Sequence, residues 1–152
     1  MTDIAASTYS CSVARTVEII GERWTMLILR EAFLGVRRFD HIQRDLGIAR
    51  NILSDRLGKL VGHGILERKQ YQERPARFEY RLTEKGRDLY PIIVCAMRWG
   101  DKYLAPEGPP VTLLHKDCGH AFEPVLTCSH CRGEIDARSV RPEVGPGLAR
   151  VA

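Results

Sequence analysis

Two stretches, "FDHIQRDLG" from Phe39 to Gly47 and "ARNILSDRLGKLVGHG" from Ala49 to Gly64, decide the fold. In the first, Phe39, Ile42 and Leu46 fall at i, i+3 and i+7, one face of a short helix that Gly47 ends. In the second, Leu53, Leu57 and Leu60 share a face, and Gly64 follows the last turn. The junction "LGI" is a three-residue turn containing glycine. Two amphipathic helices so joined make a helix-turn-helix.

Working outward, "SVARTVEII" carries Val13, Val17 and Ile20 near helical spacing. "RWTMLILREAF" holds Trp24, Leu27, Ile28, Leu29 and Phe33 and reads as a buried helix, with Gly35 as its stop. After Gly64 the period changes to two. "ILERKQY" and "RFEYRLT" alternate apolar and polar residues around the basic, turn-rich "QERPAR", which predicts a hairpin with Ile65, Glu67, Phe78, Tyr80 and Leu82 on one side. Thr83 then caps a long helix, predicted over 84–104, with Pro91 inside it as a point of bending or interruption. Helices, hairpin and long helix together give a mostly α fold with a small β wing, a winged helix-turn-helix.

Composition agrees with a folded chain: 44% hydrophobic and 28% charged residues over 152. No apolar run approaches the ~20 residues of a membrane-spanning helix. The N-terminal "MTDIAASTYSCSVARTVEII" lacks the pattern of a signal peptide, so a cytoplasmic protein is expected. A reducing compartment makes the five cysteines free, metal-bound or redox-active rather than disulfide-bonded. Net charge is +4, and residues 1–104 carry 18 Lys+Arg against 13 Asp+Glu. That excess is compatible with an anionic partner such as DNA. The Pro/Gly-rich "APEGPPV" marks a linker over 105–111. The expected organisation is a DNA-binding and dimerisation domain over 9–104, a small module over 112–141 and a flexible tail over 142–152. No internal repeat is evident. Nor is there a phosphate loop, a catalytic carboxylate pair or a nucleophile elbow, so an enzyme is not expected.

Three stretches, "RWTMLILREAFLGVRRFDHIQRDLG", "LSDRLGKLVGHGILER" and "RPARFEYRLTEKGRDL", resemble the HxlR family of bacterial winged-helix transcription regulators, over about residues 9–104. The resemblance implies a homodimer on palindromic double-stranded operator DNA, most simply a repressor. It also implies that a cysteine near the N-terminus senses electrophiles or oxidants. Cys11, at the start of the first helix and four residues before Arg15, fits that position: dipole and cation both favour a thiolate. A protein-interaction winged helix, or a regulator answering to a non-covalent small ligand, is the alternative.

In such folds the start of the second helix enters the major groove. With the three leucines turned inward, Arg50, Asn51 and Ser54 are expected to reach bases, Arg to guanine and Asn to adenine, with Arg56 as a further candidate. Arg37 and Arg38 precede the first helix of the pair and suit phosphates. Arg74 and Arg77 lie in the wing, where backbone or minor-groove contacts are made.

One cluster stands outside this reading. "HKDCGHAFEPVLTCSHC", 115–131, gathers three cysteines and three histidines. The spacing His115-x2-Cys118-x9-Cys128-x2-Cys131 suits a Cys3His structural zinc in a zinc-ribbon-like module, with His120 an alternative fourth ligand. A metal-free tail with three ordinary cysteines is the other possibility. About 35 residues with few large apolar side chains cannot build a core alone.

Overall fold

A computed structural model describes residues 11–147. These fall into two compact units, 11–93 and 94–147.

The first unit opens with α1 (Ser12–Ile20) and α2 (Arg23–Phe33), followed by the pair α3 (Phe39–Leu46) and α4 (Arg50–Gly62). Ile42 of α3 and Leu53, Leu57 and Leu60 of α4 are buried with Ile28 and Leu29 of α2, so the periodic stripes meet in one core. The turn between α3 and α4 depends on Gly47, at φ 62°, a left-handed conformation that glycine adopts without steric cost. Gly64, at φ 69°, ends α4 in the same way. The Ile65 amide then bonds back to the Leu60 carbonyl at 2.9 Å.

The wing is an antiparallel hairpin, β1 (Leu66–Gln72) and β2 (Arg77–Leu82). Leu66 pairs with Leu82, Arg68 with Tyr80 and Gln70 with Phe78. The side expected to hold Ile65 and Glu67 with Phe78, Tyr80 and Leu82 is therefore shifted by one residue on the first strand. Ile65 is committed to closing α4, so the strand starts at Leu66, and a one-residue slip exchanges faces. Glu79, on the opposite face, is buried and accepts from Arg81 Nε at 2.5 Å. The wing is tied to the lead-in of α3: the Tyr80 amide donates to Arg37 O at 2.8 Å, and Arg38 forms a β-bridge with Glu79.

The helix expected over 84–104 is two helices, α5 (Glu84–Arg87) and α6 (Tyr90–Leu104). Pro91 has no amide to give to an upstream carbonyl, so it sits in the first turn of a new helix instead of inside an old one. Thr83 caps α5 as the sequence suggests, accepting from the Gly86 amide at 3.0 Å. Its hydroxyl also donates to Gly64 O at 2.6 Å.

The boundary between the units lies inside α6. Beyond α6 the described residues hold no helix or full strand, and two isolated bridges join Leu114 with Ala121 and Thr127 with Glu134. These belong to two turns of one design. His115 N bonds His120 O, Gly119 N bonds His115 O, and Phe122 N bonds Leu113 O. Thirteen residues later Cys128 N bonds Gly133 O, Arg132 N bonds Cys128 O, and Ile135 N bonds Leu126 O. The two segments that hold the paired His/Cys spacings thus also share one backbone turn, thirteen residues apart.

Candidate nucleic-acid interface

Arg50, Asn51 and Ser54 are all exposed on the first two turns of α4. The buried leucines of α4 fix this orientation, since they turn the opposite face outward. Ala49, the residue before the helix, makes no side-chain cap, which leaves the first-turn amides without a side-chain partner. Arg50 lies over the Phe39 ring, 5.0 Å from its centroid, and Arg38 lies over Tyr71 at 4.6 Å. Each guanidinium thus rests on an aromatic face while staying exposed, which reduces the conformational freedom it would lose on meeting a phosphate or base. Sequence reasoning missed both ring platforms, because each joins residues from different elements. Arg37, Arg74 and Arg77 are exposed, and Arg74 and Arg77 flank the wing tip beside Pro75.

Arg56 behaves differently. It is half-buried and bonds Glu22 through Nε at 2.9 Å, with a second contact to Asp55. Glu22 is the residue before α2 and accepts the amides of Trp24 at 3.0 Å and Thr25 at 3.1 Å. The hydrogen bond from Arg56 holds the Glu22 carboxyl below its ordinary range, and the Thr25 and Trp24 amides act in the same direction. Glu22 also pushes the Arg56 guanidinium higher still. Asp55 is lowered as well, first by Lys59, whose Nζ is 3.0 Å away one turn along α4, and then by Arg56. Arg56 is thus a strut between α4 and α2. Glu22, unremarked in the sequence, is its anchor; no local pattern could have found a pair 34 residues apart.

Cys11 is exposed, directly before α1, and its carbonyl accepts from the Arg15 amide at 3.1 Å. Cys95 is half-buried in α6. Leu89 and Ile93 pack against the core of the first unit, while other apolar residues of α1 and α6, any of which could serve a subunit contact, are exposed in both units. In the first, Val13, Val17 and Ile92 line a groove of about 500 Å³ with Ile20 and Met26. In the second, Trp99, Tyr103 and Leu104 are exposed on α6, with the Trp99 and Tyr103 rings 5.4 Å apart. Ile4 and Tyr9, apolar residues of the sequence before α1 that would suit the same contact, lie outside the described residues.

In the second unit His115 Nδ1 and Cys118 Sγ are 3.5 Å apart. The Cys128 thiol is held below the usual thiol range by the Cys131 amide, then by the His130 amide and the Cys131 side chain. Among the described residues no group of three or more His, Cys, Asp and Glu side chains forms a ready-made metal cluster. No helix of the described residues is long and apolar enough to cross a membrane.

The profile of the HxlR-like helix-turn-helix family matches residues 19–108. An HTH-type transcriptional regulator of Mycobacterium tuberculosis strain H37Rv is 58% identical over 138 residues, covering 90% of this chain and 87% of that protein. A match of that extent includes the tandem turns. Among solved structures, PA1607, a candidate transcription factor, superposes with a TM-score of 0.79 at 39% identity, over 89% of this chain and 95% of that one. The redox regulator HypR, in its reduced form, gives a TM-score of 0.57 at 32% identity, over 60% of this chain and 92% of that one. With an exposed helix start, a basic wing and a matching profile over more than half its length, the chain belongs to the HxlR-like helix-turn-helix family of transcriptional regulators.

Proposed function

We propose that the protein is a repressor that binds a palindromic operator as a homodimer and releases it when an oxidant or electrophile modifies Cys11. The observation that carries the DNA-binding part is the set of exposed guanidiniums and amides around the start of α4. Arg50, Asn51 and Ser54 read base edges in the major groove. Arg37 and Arg38 hold phosphates beside them, with Arg38 steadied on Tyr71. Arg74 and Arg77 take the backbone or the minor groove from the wing. Arg56, engaged by Glu22, contributes by fixing the angle of α4 rather than by touching a base. The dimer places two such helices on one face of the duplex, and its contact draws on the exposed apolar residues of α1 and α6. The sensing part rests on the exposed thiol of Cys11 beside α1 and on the likeness to a redox regulator.

Selection of bound sequences from random DNA, followed by footprinting, tests the proposal. A two-fold symmetric site with half-sites about one helical turn apart, or a multiple of it, is expected. On that site Arg50→Ala and Asn51→Ala relax preference at particular base pairs by about 1–3 kcal/mol. Arg77→Ala weakens all sequences alike and lowers the salt slope by about one. Helix and wing variants that bind as tightly as the parent protein overturn the assignment.

A further inference from the structure

The part of the second unit that follows α6 has ordered turns and, among the described residues, no buried side chain. Every described residue beyond Val94 is at least partly exposed, and Leu114, Val125 and Leu126 are each more than half exposed. A segment of this size cannot hold a fixed backbone by burial alone. Yet it forms the same turn twice, with all three backbone hydrogen bonds and the flanking β-bridge recurring thirteen residues on. The fifth residue of each turn is left-handed: Gly119 at φ 72° and Arg132 at φ 63°. For arginine that conformation costs about 1–2 kcal/mol, so the second turn keeps its shape against a local preference.

The repeat makes residues equivalent. His115 corresponds to Cys128, Cys118 to Cys131, and His120 to Gly133, which has no side chain. The first two positions carry a metal-ligating group in both copies, as does the position of Asp117 and His130; only the first two can supply a thiolate in both turns or in the second alone. The distances agree with that selection. Zinc takes imidazole nitrogen at about 2.0–2.1 Å and thiolate at about 2.3 Å, so the N···S edge of its tetrahedron is about 3.5–3.6 Å. His115 Nδ1 and Cys118 Sγ stand 3.5 Å apart. The other ring nitrogen, Nε2, lies 3.7 Å from Asp117 Oδ2. In the second turn the backbone bonds of Cys128 N to Gly133 O and of Arg132 N to Cys128 O set Cys128 and Cys131 at the positions that His115 and Cys118 take in the first.

We infer that the two turns are half-sites for one zinc ion, bound by His115 through Nδ1 and by Cys118, Cys128 and Cys131 as thiolates, and that this ion takes the place of a core in the unit. The pairs do not yet form a single cluster. The ion draws them together across the loop between the turns. Binding releases three thiol protons to solvent and leaves a tetrahedral site with net charge −1. All four positions are filled by protein, so the site is structural and activates no water.

The full-length chain, purified under reducing conditions, is expected to carry one zinc per chain by elemental analysis and native mass spectrometry. Replacing zinc with cobalt(II) should give near-ultraviolet thiolate charge-transfer absorption and the visible bands of a tetrahedral ion. Cys118→Ser, Cys128→Ser and Cys131→Ser should each weaken metal retention by more than the roughly 10–100-fold that losing an outer-shell partner costs. Cys11→Ser and Cys95→Ser should leave it unchanged. His115→Ala should weaken binding and His120→Ala should not; the reverse result overturns the ligand set. Hydrogen exchange should quicken beyond residue 111 in Cys128→Ser while the helix pair keeps its protection. Reduced protein that takes up neither zinc nor cobalt, or metal that Cys128→Ser retains as well as the parent, overturns the site. None of these measurements depends on DNA binding.

Discussion

Arg56 of α4 donates from Nε to Glu22 Oε2 at 2.9 Å, and the same carboxylate oxygen caps the start of α2. One oxygen therefore both caps the start of α2 and ties α4 to it. The pKa of Glu22 is depressed below its ordinary 4.5 in the folded chain. Its stabilising contribution is accordingly full above the unfolded value and is lost as pH falls through the lower folded one. Glu22→Gln should flatten this acid dependence in denaturation curves taken below neutrality. Glu22→Ala should also lose the cap, about 1 kcal/mol, and should weaken operator binding although Glu22 touches no base. An unchanged acid limb in Glu22→Gln would count against the linkage.

Gly86 is buried where α5 meets the end of α4, and a Cβ there would lie 2.1 Å from the Ile65 carbonyl oxygen. Backbone cannot give way as a flexible side chain does. Gly86→Ala should destabilise the first unit by about 1–3 kcal/mol or more, measured by urea unfolding. Gly58→Ala, in the open interior of α4, is the contrasting case and should stabilise by about 0.5–1 kcal/mol.

Val13 is 70% exposed and Val17 is 55% exposed on α1, an apolar surface larger than a lone domain needs to leave in water. Sedimentation at micromolar concentration should give twice the 17.2 kDa chain mass. Val17→Glu should shift the protein toward monomer and weaken operator binding with it. A parent protein that sediments as a monomer would remove the dimer from the proposal.

Cys11 is the exposed cysteine of the first unit. Treatment with hypochlorite or a quinone should release operator DNA from the parent and not from Cys11→Ser, read by gel shift. The three cysteines of the tandem turns should be tested in the same series. Equal responses of parent and Cys11→Ser would shift sensing elsewhere.

Much of the first unit was legible because its signals are local. Phe39, Ile42 and Leu46 announce α3 by spacing, and Thr83 announces α5 by its capping chemistry. What escaped was non-local or a competition between neighbours. Pro91 could bend a helix or begin one, and only the contacts around Gly86 and Leu89 decide for two. Ile65 and Leu66 are both apolar, and the choice of which one starts the strand is made by the closure of α4. At the interface, Arg50 and Asn51 could be placed from helical periodicity. The rings beneath Arg38 and Arg50 and the carboxylate holding Arg56 could not, since each partner comes from another element. In the second unit the paired spacing of His115 with Cys118 and of Cys128 with Cys131 was visible in the sequence, while the backbone bonds that give both segments the same turn were not.

The β-bridge of Arg38 with Glu79 and the bond from the Tyr80 amide to Arg37 O stitch the wing to the start of α3. Helix pair and wing are thus a single tool with no wrist. Such a tool does not loosen its hold by opening one finger. In the proposed homodimer a signal would therefore act on the distance or angle between two of these tools, and release from DNA would be a change in how the copies are mounted.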